Sequence, residues 1–414
     1  MKSAKPRRSR LGLRVVLAAV LGAAGACRPE ADPERRPRAA AQPAWSAPDV
    51  VALPPGTFSP NDHLAAALIA GPRGSLHALF LDDADGDRTY DRLLHAARTA
   101  DGWSRAVVLR AGVNGLAGPE LVAAPGGAVH ALWQESEGGG GRTRVVHRVL
   151  GPEGGEWAPA ADGPGDSVQE AGAQLAAAWD GRRTHVLWGS TEGLRHLALT
   201  DGGPPVRDTL AEVGTSLALA AAPDGTLAVA GVRAWVHPVF ASASESAGNV
   251  WVRLRREGRW LPPERVHHVP RDHAYFPQLA WDRAGRLHAL WLQGSGSKLP
   301  TRVLHSVWAG RGSWSPAADL LPDGAGRIVY SPRLAVDGGG RVHATFARFR
   351  NGVSDPEHLH AAWDGRRWSR PVPIRPDAGA RDSELLTAVD PQGRVHALWE
   401  AADGTYRHAV LREA

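Results

Sequence analysis

The 414 residues predict an all-β protein: a seven-bladed β-propeller of four-stranded antiparallel blades, closed by the N-terminal strand. Three observations lead there. A unit of about fifty residues recurs along the chain; its segments are short, rich in Val, Leu and Trp, and bounded by Gly, Asp and Pro; and no stretch sustains a helical period. A single Cys excludes a disulfide scaffold, while 16 Trp and 43% hydrophobic residues supply a core.

Residues 1–26 read as an export signal: a basic start, the apolar run VVLAAVLGAA (15–24) and the small residues Ala24-Gly25-Ala26. The apolar run is too short for a permanent membrane span. Cys27, the only cysteine, follows directly, and LGAAGAC resembles a bacterial lipobox, which implies lipidation at Cys27 and an anchor in the bacterial envelope. Ordinary cleavage, leaving a soluble periplasmic or secreted protein, is the alternative. Arg7-Arg8 gives a faint twin-arginine hint. Residues 27–42 are Pro-, Arg- and Ala-rich without apolar periodicity, as a disordered tether would be. The net charge of +5 is concentrated in this leader, whose first 42 residues hold ten basic and three acidic side chains. The remaining body carries a net charge of −2, too little positive charge for a nucleic-acid partner. A monomer is expected.

Residues 43–414 form the predicted propeller domain. Within each unit an apolar strand leads through a Gly-containing turn into a strand of type V-H-A-L-W. A variable loop, a third strand carrying His and a turn ending in Trp follow. The second strand reads SLHALF (75–80), AVHALW (128–133), THVLWG (184–189), RLHALW (286–291), RVHATF (341–346) and RVHALW (394–399). In the degenerate copy TLAVAG (226–231), Ala228 replaces the His. YFPQLAWDRAGRLHA (275–289) and YSPRLAVDGGGRVHA (330–344) align without a gap. Four strands per unit is the pattern of a propeller blade. Six or eight blades are the alternatives, because the 213–269 copy is irregular.

Closure has its own signature. The Trp turn recurs at Trp103, Trp157, Trp260, Trp314 and Trp368, each followed by an outer strand, whereas the last unit stops one strand short. Residues 45–54, with Trp45-Ser46 and APDVVALP, supply the missing strand and remove an open edge.

Twelve of the 18 His occupy repeat positions: His77, His130, His185, His288, His343 and His396 on second strands, and His95, His147, His196, His305, His360 and His408 on third strands. A residue present in nearly every blade serves the blade, so these are read as structural. Counting across the hairpins places Trp188 opposite His196 and Trp399 opposite His408. The turn Trp residues are read as wedges between blades.

TADGWS (99–104) and WDGRRWS (363–369), coming after V-H-A-L-W strands, resemble the Asp-box (BNR-like) propellers of the sialidase superfamily over residues 43–414. The resemblance implies the propeller fold. The Asp-to-Trp spacing is shorter than in a full Asp box, and the arginine-bearing first-blade motif has no counterpart. No Tyr and Glu match the nucleophilic pair residue by residue, so catalysis is not carried over.

Function is expected on the face formed by loops between second and third strands and by blade-to-blade crossings, where the residues that break the repeat collect. The 231–249 insertion offers Arg233, Trp235 and His237, and the crossing at 271–277 offers Arg271, Asp272, His273 and Tyr275. Neighbouring blades add Arg327, Tyr330, Arg348, Arg350, Arg381, Asp382 and Glu384. Aromatic faces with Arg and carboxylates suit a glycan or a protein segment. A non-catalytic binding or scaffold module is the first reading. The second is a sialidase-like glycoside hydrolase, with Tyr275 or Tyr330 as nucleophile and Arg271, Arg327 and Arg381 on a substrate carboxylate. Asp83, Asp85 and Asp87 in DDADGDRTYD (82–91) form either a Ca²⁺ loop or a solvated acidic turn, and their spacing is not that of an EF-hand. No other cofactor is expected.

Overall fold

In each unit a glycine- or aspartate-bearing turn reverses the chain between apolar runs too short for helices, and the result is a four-strand meander. A computed structural model describes residues 44–412, except 55–65, 137–142, 163–174, 191–192, 200–205, 211–214, 236–246, 268–271, 296–298, 311–313, 323–326, 350–355 and 375–379 and positions 72, 88, 114, 160 and 402. Seven antiparallel sheets make up seven blades. Their innermost strands are Ala66–Ala70, Leu116–Ala123, Leu175–Trp179, Thr215–Ala221, Asp272–Trp281, Val329–Val336 and Ala380–Val389. Each packs beside the inner strand of the next blade, and the seventh beside the first, closing a ring.

The outermost strand of the seventh blade comes from the other end of the chain. Ala44–Trp45 and Asp49–Val51 both pair with Tyr406–Arg412, with Trp45 opposite Leu411 and Asp49 opposite His408. The irregular 213–269 copy is a full blade, its second strand Leu227–Trp235 built around the buried Ala228.

Second strands are buried along their length, as in Leu76–Asp82 and Val395–Ala401, because a blade lies against each of their faces. That double burial explains why V-H-A-L-W runs without polar alternation. The register corrects the hairpin count by one residue. Leu187, not Trp188, faces His196, and Leu398, not Trp399, faces His408. The first turn is one residue shorter than counted and the second one residue longer, and a one-residue slip turns every side chain to the other face.

The histidines therefore meet one another. In each of six blades the second-strand ring stacks on the third-strand ring, with centroids 5.1–5.3 Å apart, and its Nδ1 lies 2.8–3.1 Å from the partner's Nε2. The turn Trp of the next blade stands edge-on over the third-strand ring: Trp157 on His95, Trp260 on His196, Trp368 on His305, Trp45 on His360 and Trp103 on His408. The Trp residues are thus interblade wedges. The fourth blade lacks both rings, with Val252 at the third-strand position, and Trp314 packs in the same apolar cluster as Val252.

Candidate functional site

In this meander the turns from first to second strand and from third to outer strand open on one face. The second-to-third loops and the crossings open on the other. Most of the residues singled out by sequence lie on the second face, at or near the start of inner strands. Tyr275 and Tyr330 hold the same position in the fifth and sixth blades, opposite Leu292 and Ala347. Each precedes a β-bulge whose first residue has a left-handed backbone, Phe276 and Ser331 both at φ 48°, followed by Pro277 and Pro332. The bulge bends the strand end and leaves both phenols partly exposed. Phe276 and Tyr275 rest on the apolar core of these two blades. Ring contacts run from His273 to Tyr275 at 6.3 Å and from Tyr330 to Phe349 at 5.6 Å.

The electrostatics of this mouth are plain. Burial pushes both phenols above the ordinary tyrosine range, and Tyr330 adds to the rise at Tyr275. A phenol pushed up is a poorer nucleophile at neutral pH, the opposite of what covalent glycosidase chemistry needs. Arg348 is tied to Glu357 at 2.6 Å. Asp272 and His273 are half-buried at the head of their strand, and Arg327 is exposed on the crossing before Val329. Glu384 is not an exposed loop carboxylate: it is buried in the bulged stretch of the seventh inner strand. Arg233 and Trp235 end the second strand of the fourth blade, and Arg381 and Asp382 lie near the start of the seventh inner strand, their backbones alone being described. His237, Arg271, Arg350 and Cys27 lie outside the described residues.

Asp83, Asp85 and Asp87 do come together, each offering a carboxylate oxygen within 4.8 Å of the others. Their oxygens already serve the loop. Asp83 accepts from the Gly86 amide at 2.7 Å, Asp85 from the Asp87 amide at 3.1 Å, and Asp87 from the Thr89 amide at 2.8 Å. The cluster is accounted for as turn architecture.

Sequence reasoning missed two features. On the opposite face, a cleft of about 560 Å³ between the first two blades is lined by Ser75, His77, His95 and Trp157. Ser75 Oγ lies 3.0 Å from His77 Nε2, which has the look of a nucleophile and its base. The direction of the protons argues otherwise. Trp157 Nε1 donates to His95 Nδ1 at 3.3 Å, so His95 Nε2 carries the proton given to His77 Nδ1, and His77 Nε2–H points at the serine. In four other blades an aspartate takes the place of Ser75, as Asp282 does on His288 at 3.2 Å. Ser75 is the uncharged version of a structural relay.

The second feature is the axial channel, lined by Glu120, Gln278 and Arg333 from the second, fifth and sixth blades. They occupy one repeat position, two residues after the left-handed Gly118, Phe276 and Ser331. The sequence signal was present in GPE, FPQ and SPR: a polar residue that changes from copy to copy directly after a shared proline.

No family model matches the chain, and no curated protein matches it. Among solved structures it is similar to a polysaccharide lyase, ulvan lyase, with 12% identity over 90% of this chain and 96% of that one and a TM-score of 0.55. It is similar to a protein of unknown function from Dyadobacter fermentans, with 11% identity over 89% and 99% and a TM-score of 0.54. It is also similar to an α-L-arabinanase from Penicillium chrysogenum solved with arabinobiose, with 11% identity over 89% and 98% and a TM-score of 0.50. At these identities the likeness is one of fold.

Proposed function

We propose that this chain is an exported, lipid-anchored propeller that binds a glycan, without turning it over, at the channel mouth of its fifth and sixth blades. One observation carries the reading: Tyr275 and Tyr330 hold equivalent, partly exposed positions on adjacent blades, each with a neighbouring aromatic ring. Flat rings stack on sugar faces, while Asp272, His273 and the Arg348–Glu357 pair offer polar groups to hydroxyls. Two of the similar folds act on saccharides, which makes glycans the first ligands to test. A protein partner is the second. The raised phenols speak against the sialidase-like reading.

A glycan array followed by calorimetry on the best hit tests this. Tyr275→Ala and Tyr330→Ala should each weaken binding about tenfold or more in a chain that stays folded at the assay temperature. Full affinity in both variants would end the assignment. Turnover of a fluorogenic sialoside, lost in Tyr275→Phe or Tyr330→Phe, would replace it with the hydrolase. For the anchor, Cys27→Ser should move the protein from the membrane to the soluble fraction; unchanged fractionation would refute lipidation.

A further inference from the structure

The seven inner strands enclose a channel of about 230 Å³ on the ring axis. Alanines and leucines line it from the first, third and fourth blades, so its polarity comes from the other side chains. Arg333 in the sixth blade has Gln278 in the fifth and Thr387 in the seventh as neighbours, and Glu120 stands across the ring in the second. Among the described residues Arg333 makes no ion pair, and its guanidinium donates only to the Pro332 carbonyl at 3.3 Å. A cation so enclosed costs free energy unless an anion or ordered water meets it.

Glu120 does not serve as that anion. The surface it exposes is channel surface, walled by protein, and burial pushes its carboxyl up to about 8 against the pull of Arg333. Burial thus favours its protonated form, which is a donor rather than a counterion. The channel then presents a guanidinium fork on one wall and an acid O–H on the other. Both donate, and both suit the two oxygens of one small anion.

We propose that the channel is a binding site for a small carboxylate, held by Arg333 from one wall and hydrogen-bonded by the Glu120 carboxyl from the opposite wall. At about 230 Å³ the channel has volume enough for a molecule the size of acetate. This site lies on the axis and does not depend on the tyrosine mouth binding a glycan.

The test uses the full chain with sodium acetate against sodium chloride at matched ionic strength. At about pH 6.5, acetate should raise the melting temperature by a few degrees over chloride and titrate to one site. Arg333→Gln should weaken acetate binding about tenfold or more, and unchanged affinity would overturn the proposal. Should that variant not fold, line broadening of ¹³C-acetate by the wild-type chain decides: none, or broadening removed equally by chloride, overturns it. Glu120 and Arg333 are the only charged side chains among the described residues lining the channel. Affinity should therefore fall about tenfold as pH rises past 8 and an ionised Glu120 faces the bound anion. Glu120→Gln, which keeps a donor and cannot ionise, should flatten that profile; a flat wild-type profile would overturn the role given to Glu120.

Discussion

Buried histidine pairs are the chemical unit of this molecule. Asp282 shows how one is oriented. Burial opposes its ionisation, but the Arg286 amide at 2.8 Å, the Arg286 guanidinium at 2.6 Å and His288 outweigh that and hold its carboxyl below the usual range. The aspartate fixes the proton on His288 Nε2, which leaves Nδ1 to accept from His305. Desolvation lowers His95, His305, His360 and His408 to about 3, and His77, His147 and His196 to about 4. The sign follows from linkage. Between those values and the ordinary 6.5 the unfolded chain binds protons that the folded chain refuses, so stability is full above about 6.5 and falls as pH drops toward 3–4. Each group contributes a slope of up to about 1.4 kcal/mol per pH unit in that window. Tryptophan fluorescence against pH should show cooperative acid unfolding below about pH 5, shifted to lower pH in a His288→Leu/His305→Leu double variant. A stability curve flat from pH 7 to about 4 would contradict the neutral pairs. That these histidines are structural was legible from their recurrence. Their partner was not, because whether His196 faces a Trp or meets His185 depends on one residue of turn length.

At the level of the strand, the inner bulge does the positioning. Its first residue is left-handed in four blades, at Gly118, Ser216, Phe276 and Ser331, with φ between 48° and 57°. Only Gly118 adopts that backbone without a Cβ penalty. Gly118→Ala should cost about 1–2 kcal/mol on conformation alone. Space is not the obstacle, since the new Cβ would sit 3.4 Å from Leu175 Cβ. Ser331→Gly should act with the opposite sign, by up to about 1 kcal/mol. Urea unfolding measures both, and two changes of the same sign would refute the strain account. The frame around these bulges was visible in the gapless match of 275–289 with 330–344. That the polar residue after the shared proline turns toward the axis was hidden, since the inner strand's apolar pattern carries no mark of the ring centre.

For the whole ring, stability hinges on joining the two ends of the chain. Trp45 stands 5.7 Å from His360, and Asp49 pairs with Arg98 at 2.8 Å, so the N-terminal strand bonds blade seven and touches blades six and one. A chain beginning at residue 55 would leave Tyr406–Arg412 as an open edge. It should melt at least about 10 °C lower and self-associate on size exclusion. A monomer with an unchanged melting temperature would mean that the ring closes by other contacts.

Repetition along the chain determined the blade number, the strand order and the seam between the chain ends, because each blade needs the same periodic pattern to bury both its faces against its neighbours. Tertiary structure alone decided which polar residues converge. Glu120, Gln278 and Arg333 are separated by scores of residues and lie on three blades, and only curling the sheets into a closed ring brings them around one axis. Local pattern governs what each strand buries, whereas ring geometry governs what the strands face in common.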